Sequence, residues 1–186
     1  LQVGDSVDRF YRFSDFFAPH LRMTLALICG ALTLMLASHA SPAAAIPLLA
    51  AAALVWNYIR DGGVWIGFRA FRQGNLRRVR RSLESVRWPH LLSRSSLAYY
   101  HWLRGVLEAA DGRLQAARVH LLVAAAGALR TENDRSLVQC LLAELALQEG
   151  NRTVAAEHVD LANALAHHAD VSRIIAALRR RLDGQG

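Results

Sequence analysis

Three glycines, Gly74, Gly112 and Gly150, recur every 38 residues, in Gln73-Gly74-Asn75, Asp111-Gly112-Arg113 and Glu149-Gly150-Asn151. Such triplets stop one helix and open the next. Aligning on them brings other positions into line. Seven residues earlier stand Gly67, Gly105 and Ala143, and five later Val79, Ala117 and Ala155. Nine later come Leu83, Leu121 and Val159, then Val86, Ala124 and Ala162. Small residues at two fixed places with bulky ones between them are what two antiparallel helices need at a close crossing. Each unit therefore predicts a helix hairpin. All four prolines precede residue 90, which leaves the Ala/Leu/Arg-rich remainder free of helix breakers.

This pattern resembles the tetratricopeptide family: a small residue in the first helix, a Gly-Asn or Asp-Gly turn seven residues on, then Ala and a large apolar residue in the second helix. The resemblance spans residues 60–168, with Val171 to Leu182 as a capping helix. It implies an all-α fold ending in a short α-solenoid of three 38-residue hairpins. The family's usual repeat is about 34 residues, which places four extra residues in the link after each second helix. In the second unit Tyr100, Leu103 and Leu107 form a better apolar stripe than the strict alignment, which predicts a register shifted by one. Because first helices line the groove in this family, the resemblance makes Tyr99, Tyr100 and Trp102 candidate anchors for a protein partner, those of them that do not fill core between the helices facing the groove; aromatic anchors are favoured at binding hot spots.

A second constraint precedes the repeats. The 37 residues from Met23 to Ile59 carry no formal charge and contain a polar knot at Ser38-His39-Ala40-Ser41-Pro42. One bilayer span takes about 17 to 25 apolar residues, so the stretch predicts a transmembrane hairpin over 21–59. A secretory signal peptide is the rival reading, and Asp5, Asp8 and Asp15 ahead of Arg22 speak against it. Phe10, Phe13 and Phe17 share one helical face and predict an interfacial amphipathic segment over 1–20, or a strip covered by the helical domain. The expected organisation is then 1–20, 21–59, a repeat domain over 60–182 and a tail over 183–186.

The net charge is +7, and it lies wholly in residues 60–94, where nine arginines face Asp61 and Glu84. Positive residues mark the cytoplasmic flank of a span. Both termini are expected in the cytoplasm and the short turn on the other side of the membrane. Within the basic segment Arg77, Arg78, Arg80 and Arg81 are candidates for anionic lipid headgroups, or secondarily for an acidic partner. Nucleic acid fits less well, because residues 95–186 balance ten arginines against ten acids and lack an extended basic face.

Candidate chemistry is sparse. Every basic residue is arginine, so lysine chemistry is absent. Cys29 and Cys140 lie far apart, outside any metal or redox spacing. His158, His167 and His168 with Asp160 and Asp170 invite a metal reading, yet His158 and His167 are nine apart and miss the i, i+4 spacing of helical ligands. His101 and His120 are placed to face each other across the second hairpin, with no carboxylate to complete a triad. No catalytic, cofactor-binding or metal residue is assigned, and neither a cofactor nor a small-molecule substrate is expected.

The layout of a two-span anchor, an arginine-rich stretch and helical repeats is similar to HemY-type inner-membrane proteins and to the repeat-bearing inner-membrane subunit of exopolysaccharide secretion systems. It implies a bacterial inner-membrane scaffold or adaptor that binds a protein partner within a complex. A small histidine-based metal-dependent enzyme or sensor is the alternative.

Overall fold

The computed structural model describes residues 24, 25, 27–35 and 45–184, in which every regular element is a helix. The expected interfacial segment, the polar knot at 38–42 and residues 185–186 of the tail lie outside these residues. The chain divides into two compact units, Leu1–Gly62 and Gly63–Gly186.

In the first unit α1 covers residues 27–35 and α2 (Ala45–Arg72) begins. The C-terminal end of α2 lies beyond the 21–59 bound expected of the transmembrane hairpin. α2 continues past Ile59 through Arg60 and Asp61 to Arg72, so its uncharged part stops well short of its full 28 residues. No helix among the described residues is long and apolar enough to cross a membrane. Large apolar side chains are nevertheless widely exposed here, Leu27 at 71%, Leu34 at 76%, Ile46 at 72% and Leu49 at 69%. Thr33 turns its hydroxyl back onto the Cys29 carbonyl (2.8 Å), which hides the polar group within the helix.

The second unit holds the end of α2, then α3 (Leu76–Glu84), α4 (Arg94–Ala110), α5 (Leu114–Ala126), α6 (Glu132–Gln148), α7 (Arg152–Ala164) and α8 (Ala169–Leu182). A 3-10 turn over Pro89–Leu91 lies between α3 and α4. The bounds of α4 and α5 coincide with those of α6 and α7 after a shift of 38 residues. α4 packs on α5, α6 on α7, α5 on α6, and α8 on both α6 and α7.

Each first helix ends at one of the periodic glycines, with φ of 71°, 76° and 77° at Gly74, Gly112 and Gly150. That left-handed conformation is accessible to glycine without penalty. The next residue turns its amide back five positions to the helix it leaves, Asn75 to the Ala70 carbonyl, Arg113 to Glu108 and Asn151 to Ala146. Asn75 and Asn151 then cap the following helix, accepting from Arg78 N–H (3.0 Å) and Val154 N–H (3.2 Å). One short turn thus satisfies both helix ends.

The crossings are close because the facing residues are small. Ala117 and Ala155 are fully buried, as is Val79 in the corresponding place. Gly105 and Ala143 are buried opposite them. A Cβ at Gly105 would lie 2.7 Å from Leu121 Cγ and 3.2 Å from the Ala117 carbonyl oxygen. This overturns the expected register shift in the second unit. Leu103 and Leu107 are buried, but so is Gly105 in the strict 38-residue register, while Tyr100 stays half-exposed. The tight crossing, rather than the apolar stripe, sets the rotation of α4. The links after the second helices are residues 85–93, 127–131 and 165–168.

Two core clusters run through the unit, one from Val64 to Leu145 and another joining Cys140, Ala143, Val159, Ala162, Val171, Ile175 and Leu178. Gly105→Ala should destabilise the chain by about 1 to 3 kcal/mol through overpacking. Gly112→Ala, where φ is 76° and the space is open, should cost only about 1 kcal/mol through backbone strain. Denaturant unfolding of both variants checks the order.

Candidate functional site

The aromatic trio expected in a groove divides between core and surface. Tyr99 and Trp102 are each 1% exposed. Trp65 and Phe68, from the second-unit part of α2, stand 4.9 and 4.8 Å from the Tyr99 ring, and Phe68 and Phe71 pack edge-on against Trp102 at 5.3 and 5.8 Å. Tyr99 and Trp102 belong to the core and cannot anchor a partner, which removes these two from the expected groove residues and takes the core alternative for them. The reason is the helix before them: α2 presents three aromatics that α4 must cover. Tyr100 alone remains half-exposed.

Tyr99 also organises the α5–α6 link. Its hydroxyl donates to Asp134 and accepts the Arg130 amide (3.3 Å), while the Arg130 guanidinium sits 3.9 Å above the Trp65 ring. Burial and the neighbouring carboxylate push the phenol pKa well up, so the hydroxyl remains a donor at any ordinary pH.

The four arginines of α3 also separate. Arg77, Arg78 and Arg81 are exposed. Arg80 donates to Asp111 (2.7 Å), in the turn that ends α4. Arg118 meets Glu149 (3.3 Å) in the corresponding place, 38 residues on at both ends. Arg80 is thereby a link between successive helix pairs, and the lipid-facing expectation holds no role for it. Asp111 is shared with Arg113, which also grips Glu108. Hydrogen bonds from these guanidinium groups hold the Glu108 and Asp111 carboxyls below the usual carboxylate range.

A polar rung crosses each helix pair at residues 19 apart. In the first it is Ser82 Oγ on the Gly63 carbonyl (2.6 Å), in the second His101 Nδ1 against His120 Nδ1 (3.0 Å), in the third Gln139 Oε1 with His158 Nδ1 (2.8 Å). The pairing of His101 with His120 follows the sequence reading. Desolvation by burial depresses the pKa of all three histidines, the His101–His120 repulsion adding for His101, Arg104 for His120 and Arg118 for His158. Glu108 and Glu157 act in the opposite sense on His120 and His158.

His158 is therefore held by Gln139 and takes no part in a cluster with its neighbours. His167 Nδ1 bonds the Leu165 carbonyl (2.6 Å), Asp160 pairs with Arg179 and Asp170 with Arg173. No group of three metal-capable side chains occurs among the described residues. Cys140 is buried, and burial pushes its thiol up to about 11, so it is an unreactive core residue.

What the sequence reading missed is an exposed apolar strip on α5. Val119, Leu122 and Val123 are 60%, 44% and 43% exposed and share one helix face at i, i+3 and i+4. Leu161, 38 residues after Val123, is also exposed on α7. The signal was available: these positions are apolar where the alignment assigns core contacts to Ala117, Leu121 and Ala124 instead.

No family model, no curated protein and no solved structure matches the chain.

The depressed histidines give a pH dependence of definite sign. Their ordinary value is 6.5, and in the fold the neutral form is favoured, so as pH falls below about 6.5 the unfolded chain binds protons first and stability declines. Urea unfolding between about pH 7.5 and 5 should show this loss. His101→Gln should flatten it, because it removes one titrating group and the like-charge repulsion on the other.

Proposed function

We propose that this chain is a membrane-anchored helical-repeat scaffold that holds a protein partner, as a subunit or assembly factor of a bacterial inner-membrane complex. The observation that carries the reading is the combination of a widely exposed apolar first unit with a second unit built of periodic helix pairs. So many large apolar side chains exposed together, Leu27, Leu34, Ile46 and Leu49 among them, are unusual in water and natural against lipid or an apolar partner. In this reading residues 21–59 form the two-span hairpin, and the +7 segment places both termini in the cytoplasm.

The helix pairs of the second unit, at 38-residue spacing, form a tetratricopeptide-like solenoid capped by α8. Support comes from the repeated glycine turns, the repeated rungs and the repeated Arg80–Asp111 and Arg118–Glu149 links. Such a solenoid offers extended surface and no chemistry of its own. In this reading the partner face is the exposed strip of Val119, Leu122 and Val123, since the buried Tyr99 and Trp102 have no surface to offer. Arg77, Arg78 and Arg81 meet anionic headgroups.

A reporter fused after Gly186 should be active as a cytoplasmic reporter, and one inserted near His39 as a periplasmic one; the reverse pattern sinks the topology. Leu122→Asp with Val123→Asp should abolish co-purification of a partner after mild detergent extraction while leaving the helix content unchanged. Recovery of the unaltered chain as a lone monomer, under conditions that keep other complexes intact, would count against the adaptor role. The combined Arg77→Gln, Arg78→Gln and Arg81→Gln variant should retain less anionic lipid on extraction, with little change in thermal unfolding because exposed charges contribute little to stability.

A further inference from the structure

The second helix pair brings two imidazoles together at its surface. His101 on α4 and His120 on α5 approach with Nδ1 atoms 3.0 Å apart, ring centroids 5.2 Å apart and planes inclined by 33°. Both side chains are half-buried, so water and small ions reach them. In the neutral pair only one of the facing nitrogens carries a hydrogen; the other presents its lone pair. Moving that single hydrogen to the far side of its ring leaves two lone pairs directed into one small volume.

The separation has a chemical meaning. Two imidazole nitrogens bound cis to one cation at about 2.0 to 2.1 Å stand about 2.9 Å apart at a right angle and about 3.3 Å apart at the tetrahedral angle. The observed 3.0 Å lies in that interval, near its square-planar end. The facing nitrogens need both rings to tilt for their lone pairs to meet at a shared off-axis point, and the half-buried setting of both side chains leaves one side of the pair open to solvent.

We propose that His101 and His120 form a bidentate site for a divalent late transition-metal cation, of the Cu²⁺ or Ni²⁺ class, that clasps α4 to α5. Water fills the remaining positions, since no third metal-capable side chain joins the pair among the described residues. The site is open and exchangeable, of the kind suited to sensing or passing on a metal rather than to building a core around it. Imidazole suits these cations, and affinity for nitrogen sites is highest for Cu²⁺ in this series.

The surroundings are mixed in charge. Glu108, on α4, favours positive charge at His120, and Arg104, also on α4, opposes it. His101 is affected by His120. Burial keeps both rings neutral near pH 7, the state that binds metal.

The other rungs provide an internal control. The pair one repeat later is Gln139 with His158, which offers one imidazole and an amide, and the pair one repeat earlier is Ser82 with a backbone carbonyl. Neither supplies two imidazoles. His101→Gln therefore recreates at the second pair a rung that the third pair already accommodates, and it removes one ligand without a change the fold cannot bear.

The test is titration of the purified full chain with CuCl₂ or NiCl₂ alone, followed by calorimetry and, for the cupric form, by electron paramagnetic resonance. At about pH 7.5 one equivalent should bind, with hyperfine splitting from two nitrogens. Affinity should fall at least about tenfold in His101→Gln and in His120→Gln, and fall again at about pH 5.5 as protons compete. The His167→Gln, His168→Gln double variant should bind as the unaltered chain does. Absence of a stoichiometric equivalent overturns the proposal. So does undiminished binding in both single variants, or a loss confined to the His167, His168 double variant, which would place the metal at that adjacent pair.

Discussion

The second unit depends on how closely its helices cross. Gly105 leaves no room for a single added carbon, with Leu121 side-chain atoms and the Ala117 carbonyl already in contact distance of the place it would take. Close approach makes the backbone surfaces themselves part of the core, where dispersion and area burial per residue are greatest. It also fixes the rotation of each helix, because the small residue must face the crossing. Everything else on the helix then has an assigned direction: Trp102 and Tyr99 turn toward α2, His101 toward α5, and Tyr100 to the partly open side. A larger residue at the crossing would loosen the pair and release those assignments together.

Much of this is legible in the amino-acid sequence. A positive φ needs glycine, so periodic glycines at helix ends announce the turns, and small residues at fixed offsets announce the crossings. The facing of His101 and His120 followed from the same alignment. Two things were not legible in that way. The burial of Tyr99 and Trp102 depends on Trp65, Phe68 and Phe71, whose direction is set by a helix end that charge patterning had placed near Ile59. Aromatic residues on a first helix read equally well as anchors or as core until their neighbours are known. The role of Arg80 was hidden by its company in a basic run, although Arg118 with Glu149 at the same offset carried the clue.

Repetition also distributes polar chemistry. The rung positions hold a hydroxyl on a carbonyl, two imidazoles, and an amide on an imidazole, all joining helices across the same crossing. The register is constant and the titration behaviour differs, so the three helix pairs share a position for the rung without sharing a response to protons. The Arg80–Asp111 and Arg118–Glu149 links instead join successive pairs; the first is an exposed ion pair that orients more than it stabilises, and the second is half-buried.

The aromatic cluster has a spectroscopic consequence. All four tryptophans, Trp56, Trp65, Trp88 and Trp102, precede α5, and the two that line the Tyr99 cluster sit in the core that begins at Val64. Intrinsic tryptophan emission is therefore blind to the second core around Val159 and Ile175, which contains no indole. Helical circular dichroism sums both. Where the two optical signals part company during unfolding, the gap measures how far the C-terminal helices melt independently of the N-terminal ones.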